Sequence, residues 1–154
     1  MADRQKLARI LATWFGCGRA PIAPGTVGTI GALPLHFALR ALGPVPYAAA
    51  VAAITALGVW ASQREAERLG EEDPSCVVID EVAGVLLALL IANGAGRKAS
   101  VIAVILFRVF DIWKPGPIDR VQHAKPEGVG IMADDILAGF FAGVTARWIG
   151  SVLR

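Results

Sequence analysis

Five carboxylates stand at the edges of segments that are otherwise strongly apolar, and their positions indicate chemistry. They are Asp80, Glu81, Asp111, Asp134 and Asp135. A charged side chain within a lipid-embedded helix costs about 2.5 to 3.5 kcal/mol on insertion scales. A chain that keeps several such acids is expected to pair them with a cation, so we predict a membrane-bound protein that uses a metal ion.

The first acidic pair lies at the start of an apolar run. Asp80 and Glu81 are adjacent, and Gly84 follows Asp80 by four residues. Both acids could simply be favourable charges at the positive end of a helix dipole, worth about 0.3 to 1 kcal/mol. That alternative does not explain their apolar flanks, and we interpret Gly84 as leaving space for a ligand beside the carboxylate.

Basic residues accompany the third acid. Arg108 and Asp111 are three residues apart, so a mutual ion pair that neutralises both is one interpretation. In the functional alternative, Asp111 faces a cation while Arg108 and Lys114 face an anionic group. Arginine would bind it through a planar fork and lysine as a point charge.

The remaining acids are the adjacent Asp134 and Asp135, which we expect to open the last helix. Mg²⁺ prefers carboxylate and water oxygens, and usually takes one or two carboxylates while phosphate supplies further ligands. Neighbouring residues on a helix point about 100° apart, so one aspartate could bind the metal while the other orients water. Capping of the helix by Asp134 is the alternative, but it leaves Asp135 unexplained.

A glycine-rich segment over residues 16–29 is a candidate anion site. Backbone N–H groups near Gly25 and the hydroxyls of Thr26 and Thr29, at a helix start, could bind an anion. The segment has no Gly-Lys-Ser/Thr element and is therefore not a Walker P-loop. A flexible re-entrant loop is an equally good interpretation.

These residues are carried by five apolar stretches that Gly, Pro and charged residues separate. We predict a helix in each: Val27–Leu42, Val45–Ser62, Val77–Ala92, Ala99–Trp113 and Asp134–Leu153. Apolar residues make up 55% of the chain, and charged residues only 18% against a usual 25%. The prediction is an all-α protein of one domain (residues 1–154), a membrane-embedded bundle of short, mostly apolar helices. A soluble bundle with enclosed central helices is the alternative.

The alternating direction of the helices and the distribution of Lys and Arg predict which side of the membrane the acidic residues face. If the five helices alternate in direction, all the acids and the glycine-rich segment lie on one side of the membrane. More Lys and Arg flank that side, which indicates that the site faces the cytoplasm.

The net charge is only +2, without a basic run, so a nucleic-acid partner is excluded. Gly139 and Gly143 form a GxxxG pair that allows close helix packing, and their face could support a homo-oligomer.

Four motifs together resemble the phosphatidylglycerophosphatase A family. They occupy residues 23–28, 78–82, 107–115 and 130–135. The resemblance implies an all-helical, Mg²⁺-dependent phosphatase of the bacterial inner membrane, which converts phosphatidylglycerophosphate to phosphatidylglycerol. It also implies that the five carboxylates form the metal site. The chain departs from the family pattern at Gly116, where a Trp is customary, and at Thr29, where a Ser is customary.

We therefore expect one or two Mg²⁺ ions, held by some of the five acids, to bind the phosphate monoester and activate a water. The expected catalytic residues are Asp80, Asp111, Lys114 and Asp135. The expected substrate-binding residues are Arg108, Lys114, Gly25, Thr26 and Thr29. A carboxylate-lined cation transporter and a non-catalytic membrane scaffold are the alternative functions, since buried acids also mark ion pathways.

Overall fold

The computed structural model describes residues 2–153, and this part of the chain folds into seven α-helices and one 3-10 turn without a strand. The helices are α1 (Ala2–Ala12), α2 (Pro24–Leu42), α3 (Pro44–Leu69), α4 (Ile79–Ala92), α5 (Arg97–Trp113), α6 (Pro117–Val121) and α7 (Glu127–Val152). The 3-10 turn covers Cys17–Arg19. The all-α prediction is confirmed, and each of the five predicted stretches lies within or largely within one helix.

Two helices were not predicted. The apolar run of α1 is short, but Ala8 and Ala12 are small enough for the helix to pack tightly on α3, and both are buried there. The five-residue α6 places Ile118 in the main core, 1% exposed. Tertiary packing stabilises both helices, since neither has a long apolar face of its own.

The predicted start of the last helix was wrong. Helix α7 begins at Glu127 instead of at Asp134, so the two aspartates lie two turns inside it. The early turns contain Gly128 and Gly130, which are poor helix formers. Here they have a packing role: a Cβ at Gly128 would clash with the Val59 carbonyl oxygen of α3, and one at Gly130 would clash with the carbonyl of Gln122.

Helix α4 is the central element, packed against α2, α3, α5 and α7. Its closest neighbour is α7, and glycines make that approach possible. A Cβ at Gly139 would clash with the Gly84 carbonyl oxygen, and a Cβ at Gly84 would lie 2.6 Å from the Asp135 carbonyl oxygen. The space that we assigned to a ligand beside Gly84 is therefore filled by the backbone of α7 and the ring of Phe107.

The GxxxG face also has an occupant within the chain. Gly139 and Gly143 are buried against α4, and a Cβ at Gly143 would lie 2.8 Å from the Ala88 carbonyl oxygen. The expectation that this face is free to bind a second copy is wrong, because α4 of the same chain covers it. Oligomerisation by another surface stays a prediction.

Two helices in the described chain, α3 and α7, are long and apolar enough to cross a membrane. Each has 26 residues, or roughly 39 Å of helix, against a hydrocarbon thickness of about 30 Å. Large apolar side chains face outward along the bundle, including Phe37, Leu57, Ile105, Phe140 and Trp148. These features are consistent with a membrane-embedded helical protein. Helix α4, with 14 residues, is too short to cross upright and is enclosed by the others.

We expect Gly139→Val to destabilise the protein by roughly 1 to 3 kcal/mol, because the new side chain cannot fit between α7 and the backbone of α4. Thermal unfolding in detergent, followed by circular dichroism, measures the effect. Phe140→Val is the matched control, since it introduces the same β-branched residue at a neighbouring position that is 47% exposed. Equal losses in both variants would show that the contact between α4 and α7 is not tight.

Candidate active site

Three carboxylates from two helices converge at one end of the bundle. Asp80 and Glu81 lie in the first turn of α4, and Asp135 comes from the interior of α7. One oxygen of each lies within 4.8 Å of the other two. This arrangement is a direct result of the close contact between α4 and α7, because Gly84 packs on the backbone of Asp135 one turn after Asp80.

One oxygen of each of these three carboxylates lacks a partner within the described chain. Asp80 Oδ1, Glu81 Oε2 and Asp135 Oδ2 are buried and accept no hydrogen bond. Burial raises the pKa of Asp80 well above its usual range, and the negative charges of Glu81 and Asp135 raise it further. Like charges crowded in a site of low polarity oppose ionisation. We call Asp80, Glu81 and Asp135 the carboxylate triad.

The other two predicted acids are each paired with a cation. Arg108 Nη1 donates a hydrogen bond to Asp111 Oδ2, and Lys114 Nζ lies 2.6 Å from Asp134 Oδ2. The mutual ion pair that the sequence left open for Arg108 and Asp111 is thus what the structure contains. Arg108 Nη1 also lies 3.9 Å from Glu81 Oε1, so this pair adjoins the triad.

Lys114 is held in place by its backbone and by two acceptors. It ends α5 in the left-handed region (φ 46°), which is uncommon for a residue with a side chain. Its Nζ donates to Asp134 and, at 2.9 Å, to Gln122 Oε1. Burial alone would lower the pKa of Lys114, but the hydrogen bond and negative charge of Asp134 outweigh it and raise the pKa. The lysine is therefore a fixed positive charge in the site.

The amino end of α2 forms another part of the cleft wall. Ala23 is in the left-handed region and Pro24 opens the helix, so the first N–H groups have no side-chain cap. Gly25 lies directly against Glu81, and a Cβ there would clash with Oε1. Thr29 donates to the Gly25 carbonyl at 2.9 Å and accepts a long contact of 3.5 Å from Arg108. This end of α2 is a place where an anion could bind.

The structure gathers nearly all the predicted site residues around one cleft of about 310 Å³, which contains the triad, Asp111, Asp134, Arg108, Lys114 and Gly25. Thr29 lies just behind Arg108 and is buried, 2% exposed. Thr26 is exposed and does not line the cleft, so its prediction as a substrate-binding residue lacks geometric support. Other glycines of the segment pack on protein: Gly18 on the Cys76 carbonyl and Gly28 on Val78.

Part of the cleft wall was not predicted from the sequence. Asp73, Pro74 and Ser75, which follow α3, line it together with Ile112. Asp73 is also close enough to act electrostatically on both Lys114 and Asp134. An acid just before a proline and a few residues before α4 resembles an ordinary turn, so only its position after folding distinguishes it.

The donor set suits a hard divalent cation such as Mg²⁺. The triad offers carboxylate oxygens only, three of them buried without a partner. A carboxylate in such surroundings is costly unless it is paired or coordinates a metal. Asp80, Glu81 and Asp135 could hold the ion, while Asp111 and Asp134 stand beside them with charges already compensated.

The fold and the site together define an all-helical protein with an acid-lined site inside an apolar bundle. Comparison with known proteins identifies its family. Residues 10–149 match the Phosphatidylglycerophosphatase A family, and the chain belongs to that family. This confirms the resemblance seen in the motifs. As a member of the family, the chain is a phosphoric monoester hydrolase.

Three curated relatives cover most of the chain. Phosphatidylglycerophosphatase A of Escherichia coli is 33% identical, over 92% of this chain and 82% of the relative. The Haemophilus influenzae protein of the same name is 34% identical, over 86% and 82%. A Bacteroides thetaiotaomicron protein provisionally named phosphatidylinositol-3-phosphatase is 39% identical, over 91% and 93%. No solved structure matches the chain significantly.

The adjacent aspartates of α7 should respond oppositely to neutralisation in the absence of divalent cations. Asp135→Asn replaces a buried carboxyl group that is crowded by Asp80 and Glu81, so we expect stabilisation by roughly 1 to 2 kcal/mol, a rise in Tm of about 2 to 8 °C. Asp134→Asn breaks the pair with Lys114, and we expect a fall in Tm. Thermal unfolding in EDTA measures both. A fall in Tm for Asp135→Asn would contradict the view that the triad lacks compensation.

Proposed function

We propose that this protein is a Mg²⁺-dependent lipid phosphatase that hydrolyses the phosphate monoester of phosphatidylglycerophosphate to give phosphatidylglycerol. Membership of the phosphatidylglycerophosphatase A family supports the reaction. The cation and the roles of individual residues rest on the geometry of the cleft.

The proposal rests on one observation: in the cleft, both negatively charged and positively charged groups have buried atoms without a partner. Three buried carboxylate oxygens have no donor or cation, and Arg108 Nε is buried without an acceptor. An isolated cation would satisfy only the first set, and an isolated anion only the second. A divalent cation together with a phosphate group satisfies both.

We assign Asp80, Glu81 and Asp135 as the residues that hold Mg²⁺. When bound, Mg²⁺ would polarise the phosphoryl group and lower the pKa of a coordinated water. The triad keeps its oxygens together because α4 and α7 are rigid and in close contact. Asp111 and Asp134 orient Arg108 and Lys114 through their ion pairs, so these cations stay at the rim of the triad.

Three groups of the chain can bind the phosphate oxygens. Arg108 offers a planar guanidinium that reaches from Asp111 to Thr29, and Lys114 offers an ammonium beside Asp134. The uncapped N–H groups at the start of α2, next to Gly25, add backbone donors and the positive end of a helix dipole. Both cations are fixed before substrate arrives, which lowers the cost of ordering them.

The rim of the cleft suits a lipid substrate. Ile112 lines the cleft and is 73% exposed, Trp113 next to it is 74% exposed, and Ile22 is 81% exposed just before α2. Apolar and aromatic side chains of this kind are typical of a membrane interface. The acyl chains can stay in the lipid while the phosphate enters the cleft. We further propose a bacterial inner membrane as the location, with the site facing the cytoplasm.

The first test is neutralisation of the triad. Asp80→Asn and Asp135→Asn should each reduce Mg²⁺-dependent phosphate release by roughly 100-fold or more, because each removes a ligand atom without changing side-chain size. Release of phosphate from phosphatidylglycerophosphate in mixed micelles measures the loss. Each variant should also lose the stabilisation that Mg²⁺ gives the unaltered protein, measured as a rise in Tm and expected to correspond to about 2.7 kcal/mol when Mg²⁺ is at 100 times its Kd.

Asp3→Asn is the matched control, since Asp3 is an exposed aspartate in the first turn of α1. It should leave both readouts unchanged. Full phosphate release by either triad variant would refute the assignment. Metal flux into sealed vesicles, without hydrolysis by the unaltered protein, would instead support the cation transporter.

The second test concerns the headgroup. The relative named for phosphatidylinositol-3-phosphate has the higher identity, although two relatives carry the name of the proposed activity. A cleft of about 310 Å³ is at the lower end for small-molecule sites and fits a glycerol phosphate better than a substituted inositol ring. We expect kcat/KM to be at least tenfold higher for phosphatidylglycerophosphate, a difference of about 1.4 kcal/mol. The reverse preference would assign the chain to inositol lipids while leaving the metal site unchanged.

A further inference from the structure

A second cleft, separate from the carboxylate triad, lies between α1 and α3. It has a volume of about 330 Å³ and is lined by Arg4, Gln5, Trp60, Arg64, Glu67 and Arg68. We call it the arginine groove. None of its residues lines the active-site cleft.

The groove has an excess of positive charge. Three arginines and one glutamate line it, and Arg4 has no ion-pair partner in the part of the chain that the structure describes. Arg64 lies 3.3 Å from Glu67, but both side chains are more than half exposed, so that pair is weak. Arg68 differs, since its guanidinium is fixed by two hydrogen bonds to the buried Glu65. The groove therefore combines one fixed guanidinium with two that are available to a ligand.

The position of the groove relative to the membrane surface follows from the sequence of α3. Residues 44–61 contain no charged side chain and span roughly 27 Å of helix, close to the thickness of a bilayer core. Ser62, Gln63 and the charged Arg64 follow, and the half-buried Trp60 lies just inside that boundary, where tryptophan is enriched. The three arginines are therefore at the depth of lipid headgroups.

The groove is on the same side of the membrane as the triad. Gly128, at the start of α7, packs against Val59 and Gln63 of α3, and the triad residue Asp135 follows two turns later. Asp73 and Pro74, which follow α3, line the active-site cleft. Both clefts thus open toward one leaflet.

We propose that the arginine groove binds the headgroup phosphate of an anionic phospholipid in the leaflet that faces the active site. The guanidiniums supply bidentate donors for the phosphate, and Trp60 supplies an amphipathic ring at the level of the glycerol backbone. This lipid is bound in addition to the substrate, and it holds α1 and α3 at a fixed depth. The inference depends on the membrane-embedded fold and is independent of the phosphatase chemistry.

The experiment uses Trp60 as the probe. The full chain is reconstituted into phosphatidylcholine vesicles that contain a minor fraction of either brominated phosphatidylglycerol or brominated phosphatidylcholine. The quenching that Trp60→Phe abolishes reports lipid in the groove. We expect brominated phosphatidylglycerol to quench Trp60 more strongly at the same mole fraction, and soluble glycerol 3-phosphate not to compete, since the site binds a headgroup that is held in the membrane.

Two variants test the arginines. Arg4→Gln breaks no ion pair, so it should fold normally and reduce the preference for the anionic lipid roughly fivefold, and R4Q/R64Q should reduce it roughly fivefold again. Arg97→Gln/Lys98→Gln, which removes two charges at the opposite end of the bundle, is the control and should keep the preference. Equal quenching of Trp60 by the two brominated lipids, an unchanged preference in Arg4→Gln, or an equal loss in the control would each overturn the proposal.

Discussion

The site depends on one contact, the close approach of α4 to α7. Two glycines, Gly84 and Gly139, bring the helix backbones together so tightly that neither position has room for a Cβ. That approach places Asp135 beside Asp80 and Glu81 and buries one oxygen of each carboxylate. Desolvated like charges are costly. The apolar packing around α4, including the fully buried Val82, Val85 and Leu86, must offset that cost in the folded protein.

The five acids have two different electrostatic roles. Asp111 and Asp134 each have a cation at hydrogen-bond distance, Arg108 and Lys114, whereas the closest cation to the triad within the described chain is Arg108, at 3.9 Å from Glu81. The pairs serve the triad in two ways: they prevent two further unpaired negative charges at its edge, and they hold two cations where an anionic substrate would enter. Because the uncompensated charge is confined to three oxygens, a divalent cation gains strongly by binding there.

Much of this arrangement could be predicted from the sequence, and the failures have physical causes. Asp80 and Glu81 were placed correctly at the start of a helix, because the apolar stretch Val77–Ala92 is continuous apart from these two acids. The start of α7 was missed, because Gly128 and Gly130 lower intrinsic helix propensity, and their compensating contacts with α3 and the loop before α7 exist only in the folded chain.

The sequence also could not determine which charged side chains pair, or which helix covers the GxxxG face. Sequence spacing allowed Arg108 to pair with Asp111 or to bind a ligand, and only coordinates show that it contacts Asp111, Glu81 and Thr29 together. The GxxxG pattern of α7 correctly indicated a close helix contact, but a pattern cannot say whether the partner is another helix of the same chain. Asp73 gave no signal, since its role depends on the path of the chain between α3 and α4.

The depth of the triad is the strongest argument for a lipid substrate over an ion pathway. Gly128 packs beside Val59, near the end of the uncharged part of α3, and Asp135 is seven residues further along α7, or roughly 10 Å deeper. Val59 is itself about 4 Å inside the boundary at Ser62, so in a core of about 30 Å the triad lies within the half nearer that boundary. The rest of α7, residues 136–152, continues for roughly 25 Å without another acid. A transported cation would need further polar ligands along that path, whereas a lipid phosphate has to reach only the triad.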